Sequence, residues 1–248
     1  MLIIAKKKNI GVFFSTILFL GLSLGFYSFA LHPNMKNWIK EGIVVSQVNT
    51  QQKAVALTFD DGPDPNYTPL VLNALKKHGA HATFFLMGKR AQDYPELLKR
   101  MSLEGHEIGN HSFSHPDFNN KSKEFILEEI KKTSEIIEKT TGIEPGLFRP
   151  PGGYLSYDLV KLCKKENLII AYWTYQQDSK DWQNGMSADR IADHIIKHIE
   201  PGQIIILHDG CPNGHQTAKA TDMLLSKLKE KGYKFLTVSE LIKLEEKE

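Results

Sequence analysis

Two apolar rhythms alternate along this chain from about residue 54 onward. Short apolar runs bounded by turn residues, as strands usually are, occupy 54–59, 82–86, about 106–109, 147–149, 168–173, 203–207 and 234–237. Between them the spacing turns helical. In 121–140, Ile126, Ile130, Thr133 and Ile137 recur on one face and Gly142 can terminate the helix. From Ser187, a plausible cap, Ile191, Ile195 and Ile199 repeat every fourth residue until Pro201 and Gly202 stop them. Further helices are predicted over 68–78, 92–104, 156–166, 217–231 and 239–246. Strands alternating with helices imply an α/β fold with parallel strands joined by helical crossovers, wrapped into a barrel or laid open as a doubly wound sheet. Periodicity does not choose between the two.

The N-terminal part breaks this rhythm. Lys6, Lys7 and Lys8 precede an uncharged apolar body, NIGVFFSTILFLGLSLGFYSFAL, which marks residues 1–31 as a secretory signal or a membrane anchor. The body approaches the roughly 20 residues that span a bilayer, which favours an anchor through residues 9–31, while Ser28 and Ala30 offer a cleavage site. Its polarity places the bulk outside the cytoplasm. Residues 32–52 lack sustained periodicity and read as a connector, leaving 53–248 as the folded domain.

Charge narrows the partners. Residues 1–31 contain three of the 31 Lys and Arg and none of the 29 Asp and Glu, so the remainder carries 28 basic and 29 acidic side chains, a net of −1. No stripe of basic and aromatic residues appears, which argues against nucleic acid. No protein partner is indicated. Cys163 and Cys211 are a single pair and not a disulfide framework.

The candidate chemistry follows the strands. Asp60 and Asp61 come after the first, His111 and His115 after the third, Arg149 after the fourth, Asp178 and Asp181 after the fifth, and His208 after the sixth. In a parallel barrel these C-terminal ends share one rim, so residues about 150 positions apart would meet in one pocket. Adjacent carboxylates facing inward repel unless they share a cation or a proton. Pro116 disfavours helical geometry at His115, so His111 and His115 are expected on a loop or a single turn. One carboxylate and two neutral imidazoles suit a divalent transition metal, which acts as a Lewis acid; the second aspartate is then free to be a base. A softer cluster of His208, Cys211 and His215 is disfavoured, because these residues fall in a Gly- and Pro-bearing loop. His78, His81, His106, His194 and His198 read as surface or helix-face residues, and Tyr172 and Trp173 as core packing.

In order, TFDDGP, HSFSH, RPPGG, DSKDW and IILHD resemble the five motifs of the polysaccharide deacetylase family, which carries the NodB homology domain (carbohydrate esterase family 4), over about residues 52 to 245. The resemblance implies a distorted parallel (β/α) barrel of about seven strands and an extracytoplasmic, metal-dependent hydrolase removing N-acetyl groups from N-acetylglucosamine-containing glycans. It implies that Asp61, His111 and His115 bind the metal, with zinc suited to this ligand type and cobalt or manganese able to use the same shell. It further implies that Asp60 is the general base, held ionised by Arg149, and that His208 is the acid protonating the sugar amine. Asp181 is the chosen partner of His208, with Asp178 left to assist or to cap its loop. Gly152 would supply a backbone oxyanion donor, and Trp182 and Ile206 would line the acetyl slot. Family members often carry Tyr at the position of Gly152 and Leu at that of Ile206, which bears on which sugar fits. An O-acetyl esterase acting on xylan or wall polysaccharide, and an inactive glycan-binding protein, are the alternative readings.

Overall fold

Asp60, at the end of the strand Ala54–Asp60, stands in register with Phe85 of the strand Thr83–Leu86 on one side and with His208 of the strand Ile204–His208 on the other, and this pairing shows how the sheet gathers distant residues. The computed structural model describes residues 34–246; the apolar segment read as a signal or anchor lies outside them. Among the described residues no helix is long and apolar enough to cross a membrane. The chain divides into two units, one ending at Glu41 and the other starting at Gly42. The described part of the first holds helix α1 (Met35–Lys40).

In the second unit the strands are β1 (Val44–Val45), β2 (Ala54–Asp60), β3 (Thr83–Leu86), β4 (Glu107–Asn110), β5 (Leu147–Phe148), β6 (Ile169–Ala171), β7 (Ile204–His208) and β8 (Lys234–Leu236). The seven expected strands form. The eighth, β1, falls in the stretch read as a connector, because two residues carry no periodic signal; its register is set by the partner, Val44 opposite Ile170 and Val45 opposite Ala171. The sheet therefore begins before residue 53. Its order is β1-β6-β5-β4-β3-β2-β7, with β8 also pairing with β2, and every ladder is parallel. Isolated bridges join Asp178 to Ile206 and Gln47 to Gln203, linking segments that follow β6 and β1 to the far end of the order. This α/β arrangement is consistent with a distorted (β/α) barrel.

The crossovers are α2 (Thr68–Lys77), α3 (Gly88–Asp93), α4 (Pro95–Leu103), α5 (Lys123–Thr141), α6 (Tyr157–Lys165), α7 (Ala188–Lys197) and α8 (Gly214–Glu230), and α9 (Val238–Ile242) follows the last strand. The helix expected over 92–104 is two helices. Tyr94, before Pro95, takes an extended φ of −131°, since proline disfavours helical backbone in the residue ahead of it, and Pro95 then opens α4. Ser122 caps α5 by accepting from the Phe125 N–H, and Gly142 ends that helix at a φ of 75°. Ser187 caps α7 as its position implied.

Strand alternation sorts the core into two faces. Val55, Leu57 and Phe59 join Phe84, Leu86, Ile205 and Leu207 against the helices. Ala54 and Ala56 face the other way, with Phe85, Leu147, Ala171 and Ile204. Burying each such Leu or Phe contributes about 1.5–3 kcal/mol. On this second face of β2 the next positions are Thr58 and Asp60, both buried. Polar side chains thus begin where the inner apolar layer stops.

Candidate active site

Arg149 organises the buried part of the site. It follows β5 with no exposed surface, and its guanidinium lies 4.0 Å from the centroid of the Phe85 ring. A buried guanidinium must spend its donors on acceptors. Nη1 donates to Asp60 Oδ1 and to Thr58 Oγ1, each at 2.7 Å, Nε to the Ala171 carbonyl at 2.9 Å, and Nη2 to the Tyr172 carbonyl at 3.0 Å. This holds one oxygen of Asp60 and leaves Oδ2, which lies 3.9 Å from His111 Nε2.

Asp61, the next residue, turns out of the strand in the left-handed region at a φ of 69°. Its Oδ1 is buried without a hydrogen-bond partner, 3.4 Å from His111 Nε2 and 3.3 Å from His115 Nε2. Among the described residues these three form the one group of donors close enough to hold a metal ion, with ligand atoms within 4.8 Å of one another. His111 Nδ1 lies 2.6 Å from the Arg149 carbonyl, which can only accept, so Nδ1 carries the proton and Nε2 is the free nitrogen. His115 sits on a loop, as expected, but at a φ of 54°, in the left-handed region and not in the extended one that Pro116 favours. An orphaned carboxylate oxygen facing two imidazole nitrogens fits a divalent cation.

The charges agree with this. Burial would raise the pKa of Asp61, but the close approach and charge of His111, with His208 and His115, hold it well below the usual carboxylate range. Burial works against charge on His111 too, yet Asp60 and Asp61 raise its pKa. His115 is lowered, first by burial and then by His111.

A second pair faces the same rim. Asp181 Oδ1 lies 2.8 Å from His208 Nδ1, and its Oδ2 accepts from the His208 N–H at 2.8 Å and the Thr217 hydroxyl at 2.7 Å. Burial lowers the pKa of His208; the hydrogen bond and charge of Asp181, helped by Asp60 and Asp61, outweigh it and push the value up to about 9. Asp178 instead bonds the Lys180 side chain and N–H. Of the expected slot residues, Ile206 is buried two positions before His208 on the same strand face, and Trp182 is 44% exposed. Gly152 occupies a short turn at a φ of 59°, with open space where a side chain would be.

Other residues at the site escaped the sequence reading. Glu129 and Asn110 brace the histidine loop, and Asn213 donates to the Asp181 carbonyl at 2.7 Å. The Cys211 thiol lies 3.3 Å from Asp61 Oδ2, and Cys163 and Cys211 are both free. Asp209 is fully buried beneath Gly62, its carboxyl pushed up to about 7, first by burial and further by the charge of Asp61 against the lowering bond from Thr68. An acidic residue on an apolar helix face was the available signal for Glu129. His106 also departs from expectation: it is buried against Phe84 and His81, and burial brings its pKa down to about 4.

Fold and site together define a class, an α/β protein with a candidate divalent-metal centre and two charge-paired acid–base groups at the C-terminal ends of parallel strands. The chain belongs to the polysaccharide deacetylase family. The family model described as polysaccharide deacetylase matches residues 47–169. A peptidoglycan-N-acetylglucosamine deacetylase of Bacillus cereus is 43% identical over 202 residues, 82% of this chain and 94% of that protein. The crystal structure of the Bc1960 peptidoglycan N-acetylglucosamine deacetylase superposes with a TM-score of 0.79 at 33% identity, covering 85% of this chain and 98% of that one. A family 4 acetyl xylan esterase from Clostridium thermocellum, solved with a cobalt ion, gives a TM-score of 0.70 at 38% identity, covering 77% of this chain and 91% of its own.

Proposed function

We propose that this chain removes N-acetyl groups from N-acetylglucosamine units of peptidoglycan, using a divalent metal held by Asp61, His111 and His115. One observation carries the reading: the buried, unpartnered Asp61 Oδ1 faces two histidine nitrogens between the Asp60–Arg149 and Asp181–His208 pairs. The likeness to peptidoglycan deacetylases supplies the substrate class. Zinc suits the ligands, with cobalt or manganese as substitutes. When bound, the ion supplies Lewis acidity, which polarises the acetamide carbonyl and acidifies water.

The protein's own groups do the rest. Asp60 Oδ2, left open because Arg149 holds Oδ1, takes the proton of the attacking water. In this reading the Gly152 N–H receives the oxygen that gains charge, and Trp182 and Ile206 bound the slot for the acetyl methyl. His208, protonated through Asp181, hands its proton to the sugar nitrogen as the C–N bond breaks, and acetate departs with the water oxygen. The segment 1–31 is proposed to tether the protein to the cell membrane on its extracytoplasmic side or to export it.

Acetate release from N-acetylated glycan strands and from O-acetylated xylan, measured on metal-replete protein, tests the reading. Release from the first substrate and a loss of at least 10³-fold in Asp60→Asn are expected. Preference for the ester would favour esterase activity; undiminished release by the variant would remove Asp60 as base.

A further inference from the structure

The loop carrying both metal-binding histidines has a shape that its own residues do not prefer. Ser112 and His115 lie at φ values of 64° and 54°, a region that side chains other than glycine adopt sparingly. Something outside the loop must impose it. From below, the first backbone N–H groups of α3 take the loop's carbonyls, Gly88 N–H donating to Ser112 O and Lys89 N–H to Phe113 O, both at 2.9 Å. From the other side one side chain takes two of its N–H groups.

That side chain is Glu129, in the middle of α5 between Ile126 and Ile130 on the buried face. Its Oε2 accepts from the N–H of Phe113 at 3.0 Å and of Ser114 at 2.8 Å, and its Oε1 accepts from the Ser114 hydroxyl at 2.9 Å. Successive N–H groups in a tight turn form a nest that favours an anion, and here the anion belongs to the protein. Neighbouring bonds extend the bracket. The Asn110 amide donates to the Ile130 carbonyl and to Ser134 Oγ, while its oxygen accepts from the Ser112 N–H at 2.9 Å, and Ser112 Oγ accepts from the His115 N–H at 3.1 Å. The two N–H groups that Glu129 holds lie at the centre of the five-residue span from His111 to His115.

We propose that Glu129 is a positioning residue for the metal centre: it fixes the turn that brings His111 Nε2 and His115 Nε2 together on Asp61 Oδ1. This rests on the reading of Asp61, His111 and His115 as metal ligands. Lys132, on the same helix, does not replace these three hydrogen bonds, since it lies over the Phe113 ring and offers only donors. Partners of this indirect kind typically contribute 10–100-fold to metal affinity.

The test is the zinc affinity of the metal-free full chain, read by competition with a chromophoric chelator, together with its melting temperature and the visible absorption of the cobalt-loaded form. Glu129→Gln, which keeps one acceptor oxygen, is expected to bind about tenfold more weakly than wild type, and Glu129→Ala up to about 100-fold more weakly. The cobalt spectrum should shift in both. Ile137→Val, two turns further along the same buried face, serves as the packing control; it should lower the melting temperature and leave zinc affinity and the cobalt spectrum unchanged. If Glu129→Ala does not fold, Glu129→Gln decides alone. Wild-type affinity in the Glu129 variants, or an equal loss in Ile137→Val, would overturn the positioning role while leaving the metal centre intact. A wild type that binds no zinc, or an Asp61→Asn protein that binds it as well, would overturn the metal reading and this inference with it.

Discussion

Asp181 divides its two oxygens between two tasks. One faces the His208 ring and the other ties the His208 backbone and Thr217, so ring orientation and charge are set together. His208 in the folded protein has its pKa raised from 6.5 to about 9, so the contribution of this pair to stability is complete below pH 6.5 and is lost as pH rises through about 9. The same proton serves the proposed acid role. In Asp181→Asn the attraction of the partner charge goes while the burial of the ring stays, so the alkaline limb of the kcat/KM profile should move down by about one pH unit or more. An unmoved limb would mean that another group donates. The resemblance implied a carboxylate beside His208, with Asp181 chosen over Asp178; in the structure Asp181 lies against the His208 ring, and Asp178, three residues earlier, bonds Lys180. His106 shows the reverse case, a residue taken for surface whose burial depends on Phe84 and His81 arriving from another strand and loop.

At the scale of elements, the loops after β2 and β7 meet backbone to backbone. A Cβ on Gly210 would lie 2.2 Å from the Asp61 carbonyl oxygen, and the Cys211 thiol follows directly at Asp61 Oδ2. Gly210→Ala must therefore push the two loops apart. A loss of about 1–3 kcal/mol in denaturant unfolding is expected, with weakened zinc binding. A variant as stable and as tight as wild type would show that the loops have room to spare. The elements themselves were largely legible: the apolar strand runs and the Ser187 cap each act over a few residues, whereas the break at Pro95 divides a helix expected to run unbroken over 92–104. Strand β1 was not, since Val44 and Val45 become a strand only because the edge of β6 is there to pair with them.

The second unit is coupled through the proposed centre, because its candidate ligands, from the loops after β2 and β4, are held by groups from α5 and from the segments after β5 and β7. A metal that binds the folded chain alone stabilises all of it. Zinc at a hundredfold excess over its Kd should add about 2.7 kcal/mol, raising Tm by roughly 5–10 °C. Excess chelator should reverse the shift, and Asp61→Asn should show none. A wild-type melt indifferent to zinc and chelator would remove the proposed centre.

The amino-acid order by itself determined the alternation of strand and helix and the placing of polar residues just past strand ends, because both are written in local spacing of two or about four residues. Only the tertiary structure decided that Asp60 lies level with His208, that the open oxygen of Asp61 faces two imidazoles, and that Glu129 grips the turn between them. Those contacts depend on register between segments up to about 150 residues apart, and a slip of one residue in any strand would turn its side chain to the opposite face of the sheet.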